Sequence, residues 1–303
     1  MDWNSVQKGF KGYMLLEMGL SEHTIAAYLR DLDKLVQFLG LSEPVKSPAQ
    51  VDRHDLQDFL RYLNEIGLAP RSQARLLSAI KTFYRFLLLE EMVENNPAET
   101  IDTPRLGRKI PEVLSFEEIQ AMLAAIDLST PHGQRNRAML ETLYACGLRV
   151  SELVDLRLDH LYLELGYVKV SGKGDKERII PIGEEATKHI QFYLDGVRRH
   201  LKKIDPDHRH FLFLNRRGRQ LTRVYVFMIV KELAKAAGIK KSVSPHTFRH
   251  SFATHLIEGG ANLKAVQDML GHESIITTEI YTHLDTEYLR DTILTYHPSN
   301  QKK

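Results

Sequence analysis

At 303 residues, 43% of them hydrophobic, the chain is long enough for about two domains with buried cores. Its apolar runs, such as 86–89, are far too short to cross a bilayer, and the N-terminal stretch has no signal-peptide h-region. The lone cysteine, Cys146, excludes an intrachain disulfide and fits a reducing cytoplasm, while the net charge of +2 conceals an uneven distribution. Residues 1–105 hold 12 Lys+Arg against 15 Asp+Glu, and the remainder 29 against 24. Within that remainder, residues 196–223 carry nine basic and two acidic side chains, a patch dense enough for phosphate contact.

The first 95 residues read as four helices. Val6, Phe10, Met14 and Leu15 form a helical stripe that ends at Gly19. Ser21 is placed to cap a second helix over 22–39, with Ile25, Tyr28, Leu29, Leu32, Leu35, Val36 and Leu39 along one face. Asp52 opens a third through Leu56, Phe59, Leu60 and Leu63, and Pro70 heads a fourth over 71–90. Four helices in this length predict a compact bundle, and its pattern fits a DNA-touching module and an oligomerisation module equally. Residues 96–112, with Pro97, Pro104, Gly107 and Pro111 and little periodicity, read as a linker carrying Arg105, Arg108 and Lys109.

The second domain, 113–303, starts with Ser115 and Glu118 spaced as a capping box. A helix over 135–146 is stopped by Gly147; Cys146, among Leu143, Tyr144 and Leu148, is expected to be a small core residue. Arg149 then heads the next helix with Glu152 three residues on, a spacing that lets the carboxylate hold the guanidinium as a structural ion pair or orient it for a ligand oxygen. Residues 167–170 and 178–180 have strand composition, joined by a glycine-rich turn that holds Lys173 between Gly172 and Gly174. A lysine there is by default solvated, and the Walker pattern GxxxxGK[ST] is absent. Helices are expected over 184–200 and 222–237, around the basic patch with Arg216, Arg217, Arg219 and Arg223.

The stretch 244–283 concentrates the chemistry. His246 and Arg249 stand three apart at the start of a helical pattern opened by Pro245 and closed by Gly259-Gly260. A short helix over 263–270 ends at Gly271 and runs directly into His272, and Tyr281 follows nine residues later. An arginine fork, two imidazoles and a phenol suit attack by an oxygen nucleophile on a phosphate. His246 and His250 are spaced as helical zinc ligands, with His255 near, but no HExxH glutamate and no cysteine pair accompany them, so no metal is expected. The segment 285–296 is a short amphipathic tail of a kind that can fold back on its own domain.

The run HTFRHSFATHL, then LGH, then IYTH, resembles the signature of the tyrosine site-specific recombinases of the phage integrase family, most closely the bacterial chromosomal Xer type. The resemblance covers essentially the whole chain and implies a mainly α fold. That fold has a helical, SAM-like core-binding domain that clamps DNA and a mostly α catalytic domain with a small antiparallel β-sheet, the DNA breaking-rejoining fold. It implies that Tyr281 attacks a scissile phosphate, that Arg149 and Arg249 neutralise its non-bridging oxygens, that His246 and His272 donate hydrogen bonds or shuttle a proton, and that Lys173 protonates the leaving 5′ oxygen. It further implies Lys81 and Arg85 as phosphate contacts, and Arg216, Arg217, Arg219 and Arg223 as contacts near a DNA-facing helix. The expected partners are a double-stranded recombination site, a homo- or hetero-tetramer formed with a paralogous recombinase through the docking tail, and a DNA translocase of the FtsK type. No cofactor is expected, because a covalent phosphotyrosyl link conserves the phosphodiester energy. Two other readings stand beside it: a mobile-element integrase or transposase of the same chemistry, and a non-catalytic helical DNA-binding protein.

Overall fold

The computed structural model describes residues 1–41, 44–104, 112–172, 177–271 and 283–300, with side chains of 283–287 left out. The chain forms two compact units, Met1–Lys109 and Ile110–Lys303.

In the first unit, helices α1 (Trp3–Leu16), α2 (Glu22–Leu39), α3 (Arg53–Glu65) and α4 (Pro70–Leu89) pack around Phe10, Met14, Leu32, Leu35, Phe59 and Phe83. The expected caps are in place: the Ser21 side chain accepts from the Thr24 amide, and Asp52 accepts from the amides of His54 and Asp55. Pro70 occupies the first turn of α4, where its missing N–H costs no hydrogen bond. Trp3 stacks on Phe83 with ring centroids 5.7 Å apart, and the buried Tyr84 hydroxyl donates to the Pro48 carbonyl at 3.0 Å. Ala98 and Ile101 are also buried in this core, so the chain stays packed on the first unit beyond the end of α4.

The second unit contains α5 (Phe116–Ala124), α6 (Pro131–Ala145) and α7 (Val150–Val154), then strands β1 (Leu161–Tyr162), β2 (Tyr167–Ser171) and β3 (Glu177–Pro181). Helices α8 (Glu184–Gly196), α9 (Arg223–Ala236), α10 (Pro245–Gly259), α11 (Leu263–Leu270) and α12 (His283–Tyr296) follow. The strands form an antiparallel sheet in the order β1-β2-β3, with Val170 opposite Arg178 and Val168 opposite Ile180. Helix α6 lies at the centre of the unit: every residue from 138 to 148 is buried, which is why its pattern lacks a polar stripe. It packs against α8 and α10, whose Phe248 and Phe252 are fully buried. Burial pushes the Cys146 thiol up to about 12, leaving it a protonated core group as its neighbours predict.

Helix α12 packs on β3, α10 and α11 of its own unit through Leu289 and Ile293. Beyond it, His297 is buried against Tyr144, with ring centroids 4.6 Å apart. The tail up to His297 therefore folds back on its own unit.

Candidate active site

The site is built where α7, β3, α10 and the end of α11 meet. Gly147 turns the chain between α6 and α7 with φ +57°, and a Cβ there would stand 2.3 Å from the Phe252 ring, so both backbone and packing require glycine. The turn places Arg149 at the N-cap of α7. The Arg149 amide donates to Glu152 Oε2 and its Nη1 to Glu152 Oε1, both at 2.8 Å. The pairing read from the three-residue spacing is thus present.

Glu152 is almost fully buried and serves more than one arginine. Arg178 of β3 forms a bidentate pair with it, Nη1 to Oε1 and Nη2 to Oε2, each at 2.8 Å. Arg249 of α10 lies 3.8 Å from Oε2. Burial alone raises the Glu152 carboxyl, but the hydrogen bonds and charge of Arg178, joined by the backbone and side-chain hydrogen bonds of Arg149, outweigh it and hold it below its ordinary value. Arg249 is lowered to about 10, first by burial and next by the Arg149 charge, and it remains a cation at neutral pH. Three guanidiniums around one carboxylate leave the cluster net positive.

The same three arginines reach three successive carbonyls at the end of α11. Arg178 Nε donates to Met269 O at 2.8 Å, Arg249 Nη2 to Leu270 O at 2.5 Å, and Arg149 Nη2 to Gly271 O at 3.3 Å. These are acceptors a helix end leaves without partners, at the negative pole of its dipole. Arg249 Nη1 also donates to Gly147 O at 2.9 Å. Side-chain exposure rises from 7% at Arg178 and 9% at Arg249 to 36% at Arg149, so Arg149 is the arm that meets solvent.

Of the residues singled out from sequence, Arg149 and Arg249 are therefore brought together through Glu152. His246 lies one turn before Arg249 on α10 and is exposed, as is His250. Lys173, His272 and Tyr281 lie outside the described residues. Arg178 was not anticipated. The signal was present, because strand alternation puts it on the same buried face as Ile180, where an arginine needs partners.

Of the candidate DNA contacts, Arg85 is exposed and Lys81 donates to Glu99 O at 3.4 Å. Arg216, Arg217 and Arg223 are exposed, with no ion pair among the described residues, whereas Arg219 pairs with Asp205 at 2.9 Å. Thr222 caps α9, so Arg223 is its first residue.

Known proteins resemble the chain along both of its units. The Phage integrase family matches residues 112–288, and the Phage integrase N-terminal SAM-like domain matches residues 8–91. The chain is 42% identical to the tyrosine recombinase XerD of Listeria innocua, over 97% of this chain and 99% of that protein. It is 44% identical to the tyrosine recombinase XerD of Chlorobaculum tepidum, over 98% and 97%. Among solved structures, it is similar to the XerH site-specific recombinase in a post-cleavage complex with its palindromic difH substrate. There the TM-score is 0.70 at 26% identity, covering 89% of this chain and 79% of that one.

Proposed function

We propose a reaction for this chain from its family: it belongs to the phage integrase family and is a tyrosine recombinase, one that cuts and rejoins double-stranded DNA at a specific site. The Tyr281 hydroxyl attacks the scissile phosphorus. A 3′-phosphotyrosyl bond forms, the bond from phosphorus to the 5′ oxygen breaks, and Lys173 supplies the proton that the departing 5′ hydroxyl takes. Arg149 and Arg249 balance the charge that builds on the non-bridging oxygens, while His246 and His272 donate to the same oxygens or accept the tyrosine proton. Attack by the freed 5′ hydroxyl of the partner strand on the phosphotyrosine reverses the step and restores the tyrosine, so neither ATP nor a metal is consumed.

The observation that carries this reading is the pair of arginines fixed on one buried carboxylate. Arg149 uses two guanidinium N–H donors within the described residues and keeps the rest for a ligand, with its fork already oriented. The first unit and its linker, with Lys81 and Arg85, act as the DNA clamp, and the arginines before and at the start of α9 contact the backbone. The site is a chromosomal one, recombined in the cytoplasm at cell division by a tetramer that includes a paralogous recombinase and answers to an FtsK-type translocase.

The test is a nicked suicide duplex carrying a candidate chromosomal site, incubated with and without a second recombinase. Wild-type protein accumulates a covalent DNA adduct. Tyr281→Phe forms none while binding the duplex as tightly, and Arg149→Ala slows adduct formation by about 10²–10³-fold, the usual cost of removing one transition-state donor. Binding with no adduct in every wild-type sample, both with and without the second recombinase, identifies the non-catalytic alternative.

A further inference from the structure

Resting on the phosphoryl-transfer reading above, we propose that Arg178 is a positioning residue for the reaction: it fixes Glu152 and the end of α11 so that the forks of Arg149 and Arg249 present their donors to one phosphate.

A buried arginine is costly unless its charge and donors are matched. Arg178 is matched on every nitrogen: Nη1 and Nη2 on the two oxygens of Glu152, and Nε on Met269 O. With each nitrogen engaged inside the protein and the side chain buried, it has no fork left to offer a substrate. The role left to it is acting through its partners. One partner, Glu152, also accepts from Arg149 and stands beside Arg249. The other, Met269 O, is the first of the three successive carbonyls whose second and third members receive Arg249 and Arg149. Arg178 thus ties together both supports on which the Arg149 and Arg249 forks rest.

The fit is close. Gly271, the residue immediately before His272, has φ +63°, and a Cβ there would lie 3.2 Å from Cδ, Nε and Nη1 of Arg178. The guanidinium therefore lies flat against the chain at the point where it leaves α11. Lysine keeps the charge but offers a single ammonium in place of the planar fork, so it cannot reproduce both the bidentate pair and the bond to Met269 O.

The experiment uses the full chain with Arg178→Lys, Arg178→Gln and the double variant Arg178→Gln/Glu152→Gln. Single-turnover adduct formation on the nicked chromosomal-site duplex is measured from pH 5 to 8, with rates normalised to the fraction folded by circular dichroism. Duplex affinity is measured alongside. Arg178→Lys is expected to lose about tenfold or more in adduct rate, in line with the cost of displacing catalytic groups by a fraction of an ångström, with affinity within about twofold of wild type. In Arg178→Gln, Glu152 is faced by Arg149 and Arg249 but lacks its bidentate partner, so burial raises its carboxyl and the adduct rate climbs with pH. The double variant loses that dependence. Normalised rates equal to wild type for both single variants, or a pH profile unchanged in Arg178→Gln, overturn the proposal. A wild-type chain that forms no adduct removes the recombinase reading itself and this inference with it.

Discussion

Two buried carboxylates, one in each unit, are handled in opposite ways. Asp31 on α2 is 1% exposed and has one hydrogen-bonding arginine, Arg75, which is itself half-exposed; Oδ1 accepts a hydrogen bond at 3.0 Å, while Oδ2 contacts the guanidinium at 2.5 Å without an aligned bond. Burial dominates, and the Asp31 carboxyl is raised despite the charge of Arg75 and the more weakly acting Lys34 and Arg30. Glu152 is equally buried but gathers three arginines and an amide, and its carboxyl is lowered. Glu141 shows that the number of partners decides this, not the unit. It lies on α6 of the catalytic unit, is buried with Arg137 as its hydrogen-bonding arginine, and is raised like Asp31. One guanidinium does not offset the desolvation of a carboxylate here, whereas several do. The lowered carboxylate is the one that organises the candidate site.

The largest test of this contrast removes the organiser. Glu152→Ala leaves Arg178 and Arg249 buried without a counter-charge and should destabilise the catalytic unit by about 3–5 kcal/mol. The single tryptophan, Trp3, belongs to the first unit, so its fluorescence reports that unit, while far-ultraviolet circular dichroism reports both. The expected outcome is an early dichroism transition with the Trp3 transition in place. A Trp3 transition that shifts equally would break the separation drawn between the two carboxylates.

Next in size is Gly147→Ala. A left-handed backbone costs a non-glycine residue about 1–2 kcal/mol, and the collision with Phe252 adds about 1–3 kcal/mol of overpacking. The shift it forces displaces the carbonyl that holds Arg249, so adduct formation should fall alongside stability. Asp31 and Arg75 are untouched, and the Trp3 transition again serves as the control.

The fold was largely legible because its signals are local. The stripe over α2, the caps at Ser21 and Asp52 and the Ser115–Glu118 box each specify an element within a few residues. Helix α6 begins at Pro131, four residues before the expected start, because Thr130 caps it and the intervening His132, Gly133 and Gln134 give no apolar signal. In the site, Arg149 with Glu152 was readable as an i,i+3 pair, and Arg249 was readable from its motif. What spacing did not reveal was that both converge on a carboxylate shared with Arg178. That contact joins residues 26 apart, from α7 to β3, and the carbonyls of 269–271 are backbone acceptors that no side-chain pattern records.

Acid sharpens the contrast by sign. The Glu152 carboxyl is lowered from 4.5, so the stability it contributes is full above that value and is lost as pH falls through the lower folded value. The gap in melting temperature between wild type and Glu152→Gln should therefore be widest near neutrality and close below about pH 4.5. Asp31 is raised from 3.8, so ionising it in the folded state costs stability, and that cost is relieved as pH falls toward 3.8. A gap between wild type and Glu152→Gln that widens on acidification would reverse the sign assigned to the shared carboxylate.

The smallest expected effect belongs to Asp31→Asn. The asparagine carbonyl can still accept from Arg75, and the substitution removes a buried charge that its partner only partly compensates. Arg75 is 46% exposed, so solvent screens the pair and its loss matters little. The melting temperature read by Trp3 fluorescence at pH 7 should change by an amount equivalent to about 1 kcal/mol or less, and towards stability if the desolvation cost outweighs the pair. On acidification wild type should gain on the variant, because only wild type has a proton to take up there. A loss as large as that of Glu152→Ala would mean that a single half-exposed arginine offsets the burial of a carboxylate as fully as several do, and the distinction between one hydrogen-bonding partner and three would fail.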